Sequence, residues 1–163
     1  MHIFIKDKYL IYKDNKVKCA IGKKGVGFKK KEGDLITPKG VYKIKNIFYR
    51  KDRVKNLKTK IKTIVINKKM GWCDDIRSAK YNKLIKYPFN FSFEKLYRTD
   101  NIYDVIIVLN YNMNPIKKNK GSAIFVHIAK RKFTPTKGCV AIQKTEIKKL
   151  LKFIDKKTIV KIF

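Results

Sequence analysis

Short runs of apolar, β-branched residues, separated by lysines, recur along the chain and limit what it can fold into. Examples are KTIVINKK (62–69), YDVIIVLNY (103–111), SAIFVHIA (122–129) and the terminal TIVKIF. Each run has the length of one strand, and branched side chains pack well on a pleated sheet but crowd a helix. The pattern predicts a mostly β fold.

A hairpin and one or two helices complete the predicted elements. HIFIKDKYLIYK and KVKCAIG alternate between apolar and polar residues around Asp14-Asn15, which is typical of a β-hairpin. Ser92 is expected to cap a short helix through Tyr97. A C-terminal helix that faces the sheet is predicted by an apolar stripe at i, i+3, i+4 and i+7, formed by Ile147, Leu150, Leu151 and Ile154.

Composition predicts a single domain over residues 1–163. Hydrophobic residues make up 44% of the chain, enough for one packed core. The formal net charge of +30 must attract polyanions, so we expect non-specific adsorption to nucleic acid, anionic lipid or acidic wall polymer. Only five of the 42 Lys and Arg residues are arginine, which sequence-reading sites favour. A dedicated nucleic-acid site is not predicted, although a non-catalytic basic domain stays an alternative.

The three cysteines, at positions 19, 73 and 139, are an odd number without metal-ligand spacing. They predict neither a disulfide framework nor a zinc site, and we expect no metal and no cofactor. The N-terminal MHIFIKDKYLIYKD is interrupted by charges, so neither a secretory signal nor a membrane span is expected there. We expect a monomer that stays in the cytoplasm unless another route exports it.

The stretch FVHIAKRKFTPTKGCV (125–140) joins a histidine to a cysteine. His127 lies near the end of a predicted buried strand, a turn with Pro135 and Gly138 brings the chain back, and Cys139 begins another strand. The other histidine is terminal, so His127 is the one base that could activate Cys139 and give it a low-pKa thiolate. Gly138 would let the amides of 138 and 139 donate to a developing oxyanion. Spacing alone leaves open whether these are catalytic or core residues.

The segments SAIFVH and PTKGCVA resemble the signature of the L,D-transpeptidase (YkuD) family, a histidine followed by a variable loop and Ser/Thr-x-Gly-Cys-Ile/Val. EGDLITPKGVYKI resembles the upstream Thr-Pro-x-Gly segment of that family. GWCDDIRSAKYN and SFEKLYRTDNIYDVIIVLNYN resemble a bacterial branch with these segments in this order. The resemblance runs from about residue 20 to the C-terminal helix, and it implies a β-sandwich with the cysteine in a cleft.

The resemblance implies acyl transfer on the tetrapeptide stems of peptidoglycan or on muropeptides. Cys139 would attack the carbonyl of the third stem residue, D-alanine would leave, and an amine of another stem would complete a cross-link. With water as acceptor, the same site would be an L,D-carboxypeptidase of peptidoglycan recycling. His127 would be the base, the amides of Gly138 and Cys139 the oxyanion donors, Thr136 the support of the turn and Lys137 a substrate contact.

Three positions depart from the family pattern. Ile128 follows the histidine where the family often has glycine, Lys137 stands where a histidine often precedes Gly-Cys, and Ala141 stands where arginine is common. The departures keep the nucleophile and the base but change the usual substrate contacts. The resemblance also implies that Ile128 orients the imidazole of His127 through its backbone carbonyl.

An acidic segment is the one local surplus of carboxylates. It contains five of the twelve acidic residues within 31 positions, namely Asp74, Asp75, Glu94, Asp100 and Asp104. These residues could pair on the surface with Arg77, Arg98 and nearby lysines. Alternatively, Asp74 and Asp75, beside Trp72 and Tyr81, could hold the ammonium of a diamino-acid stem.

Overall fold

The computed structural model describes all residues, 1–163, and confirms the mostly β prediction with fourteen strands and one helix. The strands are β1 (His2–Lys6), β2 (Tyr9–Tyr12), β3 (Asn15–Lys18), β4 (Val26–Gly27), β5 (Thr37–Pro38), β6 (Gly40–Tyr49), β7 (Thr63–Val65), β8 (Met70–Cys73), β9 (Leu84–Lys86), β10 (Phe93–Lys95), β11 (Val105–Leu109), β12 (Phe125–Ile128), β13 (Val140–Ile142) and β14 (Ile159–Ile162). The helix α1 covers Lys144–Leu151 and, at eight residues, cannot span a membrane.

Nine strands form one large sheet in the order β13-β12-β11-β6-β14-β1-β2-β3, with β7 beside β6. The chain after β3 returns to the other end of this sheet, where Ala20 bridges Ala141 of β13. The sheet therefore almost closes on itself, which leaves few unpaired edge groups. A second sheet of three strands has the order β10-β8-β9, and β4 pairs with β5.

The large sheet separates two apolar clusters because side chains alternate along its strands. On β11, Val105, Ile107 and Leu109 enter a cluster of 24 buried residues, whereas Ile106 and Val108 enter a cluster of nine. The smaller cluster lies between the large sheet and the three-stranded sheet and includes residues of both. The candidate site lies on this side of the large sheet.

Helix α1 covers the larger cluster, as its apolar stripe predicts. Ile147, Leu150 and Leu151 are buried in the helix, and Ile154, just beyond its end, is buried as well. Glu146 in the first turn and lysines in the last turn have the charges that a helix dipole favours. The predicted C-terminal helix and the final strand are confirmed.

Two local predictions are wrong. Phe93–Lys95 is a strand paired with β8 and not a helix, and Ser92 donates its N–H to Asp75 instead of capping. The predicted hairpin around Asp14-Asn15 is confirmed, because β2 and β3 pair there. Its first alternating run, however, contains a turn at Asp7-Lys8, where both residues have positive φ, so it forms two strands and not one. Cross-strand pairing in the first case, and an unrecognised tight turn in the second, overrode the sequence pattern.

Candidate active site

His127 and Cys139 lie on the same face of the large sheet because β12 and β13 are parallel. His127 is directly opposite Ala141, and Cys139 precedes Ala141 by two residues. Paired residues of neighbouring strands share a face, and so do residues two apart in one strand. The sequence predicted only a turn that brings the chain back to Cys139. The parallel register is what brings the two side chains to the face of the smaller cluster.

The thiol of Cys139 is half-buried and held by backbone groups of the segment before and within β12. The N–H of Phe125 donates to Sγ at 3.4 Å, and Sγ donates to the carbonyl of Ala123 at 3.1 Å. Burial raises the pKa of the thiol to about 12, and the charge of Glu94 raises it further while Lys29 opposes the rise. The resting thiol is therefore neutral, and the predicted low pKa of Cys139 is wrong for the free protein.

The imidazole of His127 is buried and oriented by its neighbour in sequence. Its Nδ1 lies 3.0 Å from the carbonyl oxygen of Ile128, as the resemblance implied. Because a carbonyl only accepts, Nδ1 carries the proton and Nε2 is the free base. Burial lowers the pKa of His127 to about 4, so the ring is neutral near pH 7. The ring of Tyr103 packs edge-on against it, with 5.3 Å between ring centroids.

The turn before Cys139 is closed by Thr136. Its hydroxyl donates to the carbonyl of Cys139 at 2.5 Å and accepts the N–H of Gly138 at 3.1 Å. Gly138 has a φ of +142°, and a Cβ there would lie 2.9 Å from the carbonyl oxygen of Ile36. The N–H of Cys139 donates no hydrogen bond within the chain. The amide of Cys139 is free for an oxyanion, whereas that of Gly138 is occupied by Thr136.

Two of the predicted substrate contacts have structural partners. Trp72 is buried, donates its indole N–H to Asn82 at 3.0 Å and packs edge-on against Phe125. Tyr81 is 1% exposed and donates its hydroxyl to Glu32 at 2.5 Å. Both side chains are buried and hydrogen-bonded within the protein, so neither offers a free surface to a substrate.

The acidic segment divides into paired and unpaired carboxylates. Asp75 binds Arg77 through both oxygens, and this partner holds the pKa of Asp75 well below its usual range. Asp100 pairs with Arg98 in the same way. Asp104 forms ion pairs with Arg53 and Lys144. The pairing alternative therefore holds for these three residues, which leaves no free ammonium acceptor at Asp75.

Asp74 and Glu94 have no cation within ion-pair distance, although the chain has 42 Lys and Arg residues. Oδ1 of Asp74 is buried and has no hydrogen-bond partner. Glu94 accepts the hydroxyl of Tyr103 at 2.7 Å, and burial raises the pKa of its carboxyl, an effect that the charge of Asp74 strengthens. Lys137 is exposed on the turn and acts on Glu94 in the opposite direction.

Glu94 and Tyr103 are residues of the site whose place the sequence did not reveal. Glu94 was visible only as one acid among five, and Tyr103 only as the start of a strand-like run. The place of Glu94 follows from its strand, in which it is paired with Trp72 of β8. Because this segment was predicted as a helix, the pairing was not foreseen. No three His, Cys, Asp or Glu side chains come close enough together to hold a metal ion.

Comparison with known families decides what this arrangement belongs to. The family model described as the L,D-transpeptidase catalytic domain (YkuD) matches residues 1–162 of the 163. The chain belongs to the L,D-transpeptidase family. No curated protein matches it.

Two departures from the family pattern have a clear place in this L,D-transpeptidase domain. Ala141 is 2% exposed and lies between His127 on β12 and Ala20. The N–H of each of the two alanines donates to the carbonyl of the other. An arginine there would have to bury its charge. Ile128 belongs to the larger apolar cluster, opposite to the face of His127. Both side chains are therefore packed within the fold.

Proposed function

We propose that this chain is a cysteine acyltransferase acting on peptidoglycan stem peptides. The observation that carries the proposal is the placement of Cys139 and His127 on one face of adjacent strands, beside the unpaired amide of Cys139. Family membership supplies the substrate class, and the half-buried thiol supplies the nucleophile. In this proposal, Cys139 forms a thioester with the third stem residue, D-alanine leaves, and an amine accepts the acyl group.

The first half-reaction starts from a neutral pair. The thiol turns from the carbonyl of Ala123 towards Nε2 of His127, which takes its proton as the sulfur attacks the stem carbonyl. The oxygen of the tetrahedral intermediate accepts the N–H of Cys139. When the C–N bond breaks, His127 returns the proton to the departing amine of D-alanine. Each proton and electron pair is then accounted for, and the neutral imidazole is restored.

The second half-reaction repeats these steps in reverse. The acceptor amine attacks the thioester carbonyl and gives a proton to His127, the C–S bond breaks, and the sulfur of Cys139 regains the proton. Water in place of the amine yields a tripeptide and makes the enzyme an L,D-carboxypeptidase. The family to which the chain belongs is named for transfer to an amine, which favours an amine over water as the acceptor.

The test follows both half-reactions by mass spectrometry. The purified protein is incubated with a tetrapeptide stem and excess D-methionine. We expect a thioester on Cys139 and a stem in which D-methionine has replaced D-alanine, with some tripeptide. Tripeptide as the sole product at high D-methionine would assign the carboxypeptidase. If neither a thioester nor a product forms, the alternative of a non-catalytic basic domain is favoured.

A matched pair of variants separates the nucleophile from the other thiols. Cys139→Ala should abolish the thioester and both products. Cys73→Ser should keep them, because that thiol is fully buried with its Sγ 4.0 Å from the carbonyl of Asp75 and has no base beside it. Activity in Cys139→Ala, or its loss in Cys73→Ser with the fold intact, would contradict the assignment.

A further inference from the structure

Glu94 is a half-buried carboxylate that the proposed reaction does not use. It projects from β10, the edge strand of the three-stranded sheet, into the space that separates this sheet from β12 and β13. Three of the five carboxylates in the acidic segment are neutralised by arginine or lysine, but Glu94 is not. The charges of Arg98 and Lys137 act on Glu94 from a distance, but neither side chain forms an ion pair with it. A partly buried carboxylate without an ion-pair partner costs stability, and its place beside the site points to a role in binding.

Tyr103 links this carboxylate to the reacting groups. Its hydroxyl donates to Glu94 at 2.7 Å, and its ring packs edge-on against His127 at 5.3 Å and against Phe125 at 6.1 Å. Phe125 in turn donates its N–H to the thiol of Cys139. The carboxylate therefore has a fixed position one side chain away from the catalytic face.

The structure assigns Glu94 as a specificity-determining residue that receives a cationic group of the donor substrate beside Cys139. This inference rests on the proposed function and names the chemistry of its donor: a stem whose third residue carries a free side-chain amine. Asp74 supports the assignment, because its Oδ1 is buried without a partner and its charge acts on Glu94. An ammonium group that reached Glu94 would also be within the field of Asp74.

Binding of the cation also has a consequence for the nucleophile. The charge of Glu94 raises the pKa of the Cys139 thiol in the free enzyme. An ammonium on Glu94 would cancel that charge and so favour the thiolate when a donor is in place. Recognition of the amine and activation of the thiol would then be one event, and a donor without the amine would meet a less reactive cysteine.

Two tetrapeptide donors that differ by one acetyl group test this inference. One carries lysine at the third position and the other carries ε-N-acetyl-lysine, which has the same chain but no charge. The rate of thioester formation on Cys139 is measured by intact-protein mass spectrometry. We expect the wild-type protein to acylate at least about tenfold faster with the free amine, the scale of one charge-assisted hydrogen bond.

Glu94→Gln is the deciding variant because glutamine keeps the shape and an acceptor for Tyr103. We expect it to reduce the preference to within about threefold by slowing only the free-amine donor. Without substrate, Cys139 of this variant should react with iodoacetamide faster than Cys139 of the wild type at the same pH. The reason is that the negative charge of residue 94, which opposes the thiolate, is gone. A merely structural role would not produce this gain. Glu94→Asp, which keeps the charge, should retain part of the preference.

The outcomes distinguish this inference from the proposed function. If the wild type acylates both donors equally, or if Glu94→Gln keeps the full preference with an unchanged melting temperature, the role of Glu94 is overturned while the acyltransferase stands. If the wild type acylates neither donor, the acyltransferase proposal fails and the role of Glu94 falls with it.

Discussion

Asn82 holds Ala123 through a hydrogen bond from the backbone N–H of Ala123 to its side-chain oxygen, at 3.0 Å. The carbonyl of the same Ala123 accepts the thiol of Cys139, and the same oxygen of Asn82 accepts the indole of Trp72. Asn82 is 2% exposed, and its amide also donates to the carbonyls of residues 111 and 112. One buried amide therefore holds the backbone group that accepts the thiol of Cys139.

Asn82→Ala should destabilise the protein by about 2–4 kcal/mol, because it leaves the buried N–H groups of Trp72 and Ala123 without an acceptor. Alanine is also a poorer residue at the positive φ of 55° found there. Urea unfolding measures the loss. Asn82→Asp should cost at least as much, because it turns a buried carboxylate oxygen towards the carbonyls of residues 111 and 112, which can only accept hydrogen bonds. A change below about 0.5 kcal/mol in Asn82→Ala would show that this hydrogen bonding is not needed.

Cys139 should be alkylated faster than the other two thiols, but slowly at neutral pH. It is half-buried, whereas Cys19 and Cys73 are fully buried, and its raised pKa keeps the thiol protonated. The rate with iodoacetamide should rise about tenfold per pH unit between pH 7 and 9, as the thiolate fraction does. Peptide mapping after brief treatment identifies the labelled residue. Preferential labelling of Cys19 or Cys73 would contradict the site.

Replacement of His127 should remove the base. We expect His127→Gln to slow thioester formation on Cys139 by roughly 10²–10⁴-fold, the usual effect of losing a general base. The fold should persist, because glutamine can still donate to the carbonyl of Ile128. Acylation within a few-fold of the wild type, with circular dichroism unchanged, would make His127 a core residue.

The same variant should change the acid stability of the protein. The pKa of His127 is lowered to about 4 in the folded state, while in the unfolded chain it titrates near 6.5. Between these values the unfolded state binds the extra proton, so the free energy of unfolding falls as the pH falls. The loss from this group amounts to about 3 kcal/mol. The free energy of unfolding in urea is measured for both proteins at pH 7 and at pH 4. Between these pH values the wild type should lose about 3 kcal/mol more than His127→Gln. Equal losses in the two proteins would refute the buried neutral imidazole.

Gly138→Ala should damage the turn before the nucleophile. The new Cβ would meet the carbonyl oxygen of Ile36 at 2.9 Å, and φ of +142° is unfavourable for alanine. We expect a loss of about 1–3 kcal/mol in stability and a larger relative loss of acylation, because the amide of Cys139 moves with the turn. Gly33→Ala, at a positive φ but in open space, is the matched control for backbone strain alone. If the two substitutions reduce stability and acylation equally, contact with the carbonyl of Ile36 is not the cause of the damage at Gly138.

The net charge of +30 should cause salt-sensitive adsorption to DNA and acidic wall polymers without sequence preference. Lysine contacts to a polyanion release counterions, so affinity should fall steeply between 50 and 200 mM salt, by about 10³-fold for six contacts. Fluorescence anisotropy with two unrelated DNA duplexes measures both properties. Binding that persists at high salt with a clear sequence preference would favour a dedicated nucleic-acid site.

The sequence by itself determined most of the elements and the candidate pair of Cys139 and His127. β-Branched runs indicate most of the strands, because such side chains favour a pleated sheet whatever they pair with. The apolar stripe from Ile147 to Ile154 indicates the helix. The segments around His127 and Cys139 resemble a family signature, so these two residues were identified without knowledge of their distance. Each of these patterns lies within one short segment, so it can be recognised without knowing which segments meet in the fold.

The tertiary structure decided the pairing of strands and therefore the electrostatics of the site. Phe93–Lys95 is extended because it pairs with β8, and this pairing places Glu94 against Tyr103. Asp75 lost its predicted role to Arg77, whereas Glu94 has no ion-pair partner and accepts the hydroxyl of Tyr103. Burial also reversed the expected ionisation of Cys139. Desolvation and charge pairing depend on which groups meet in space, and contacts between distant segments arise only when the sheets assemble.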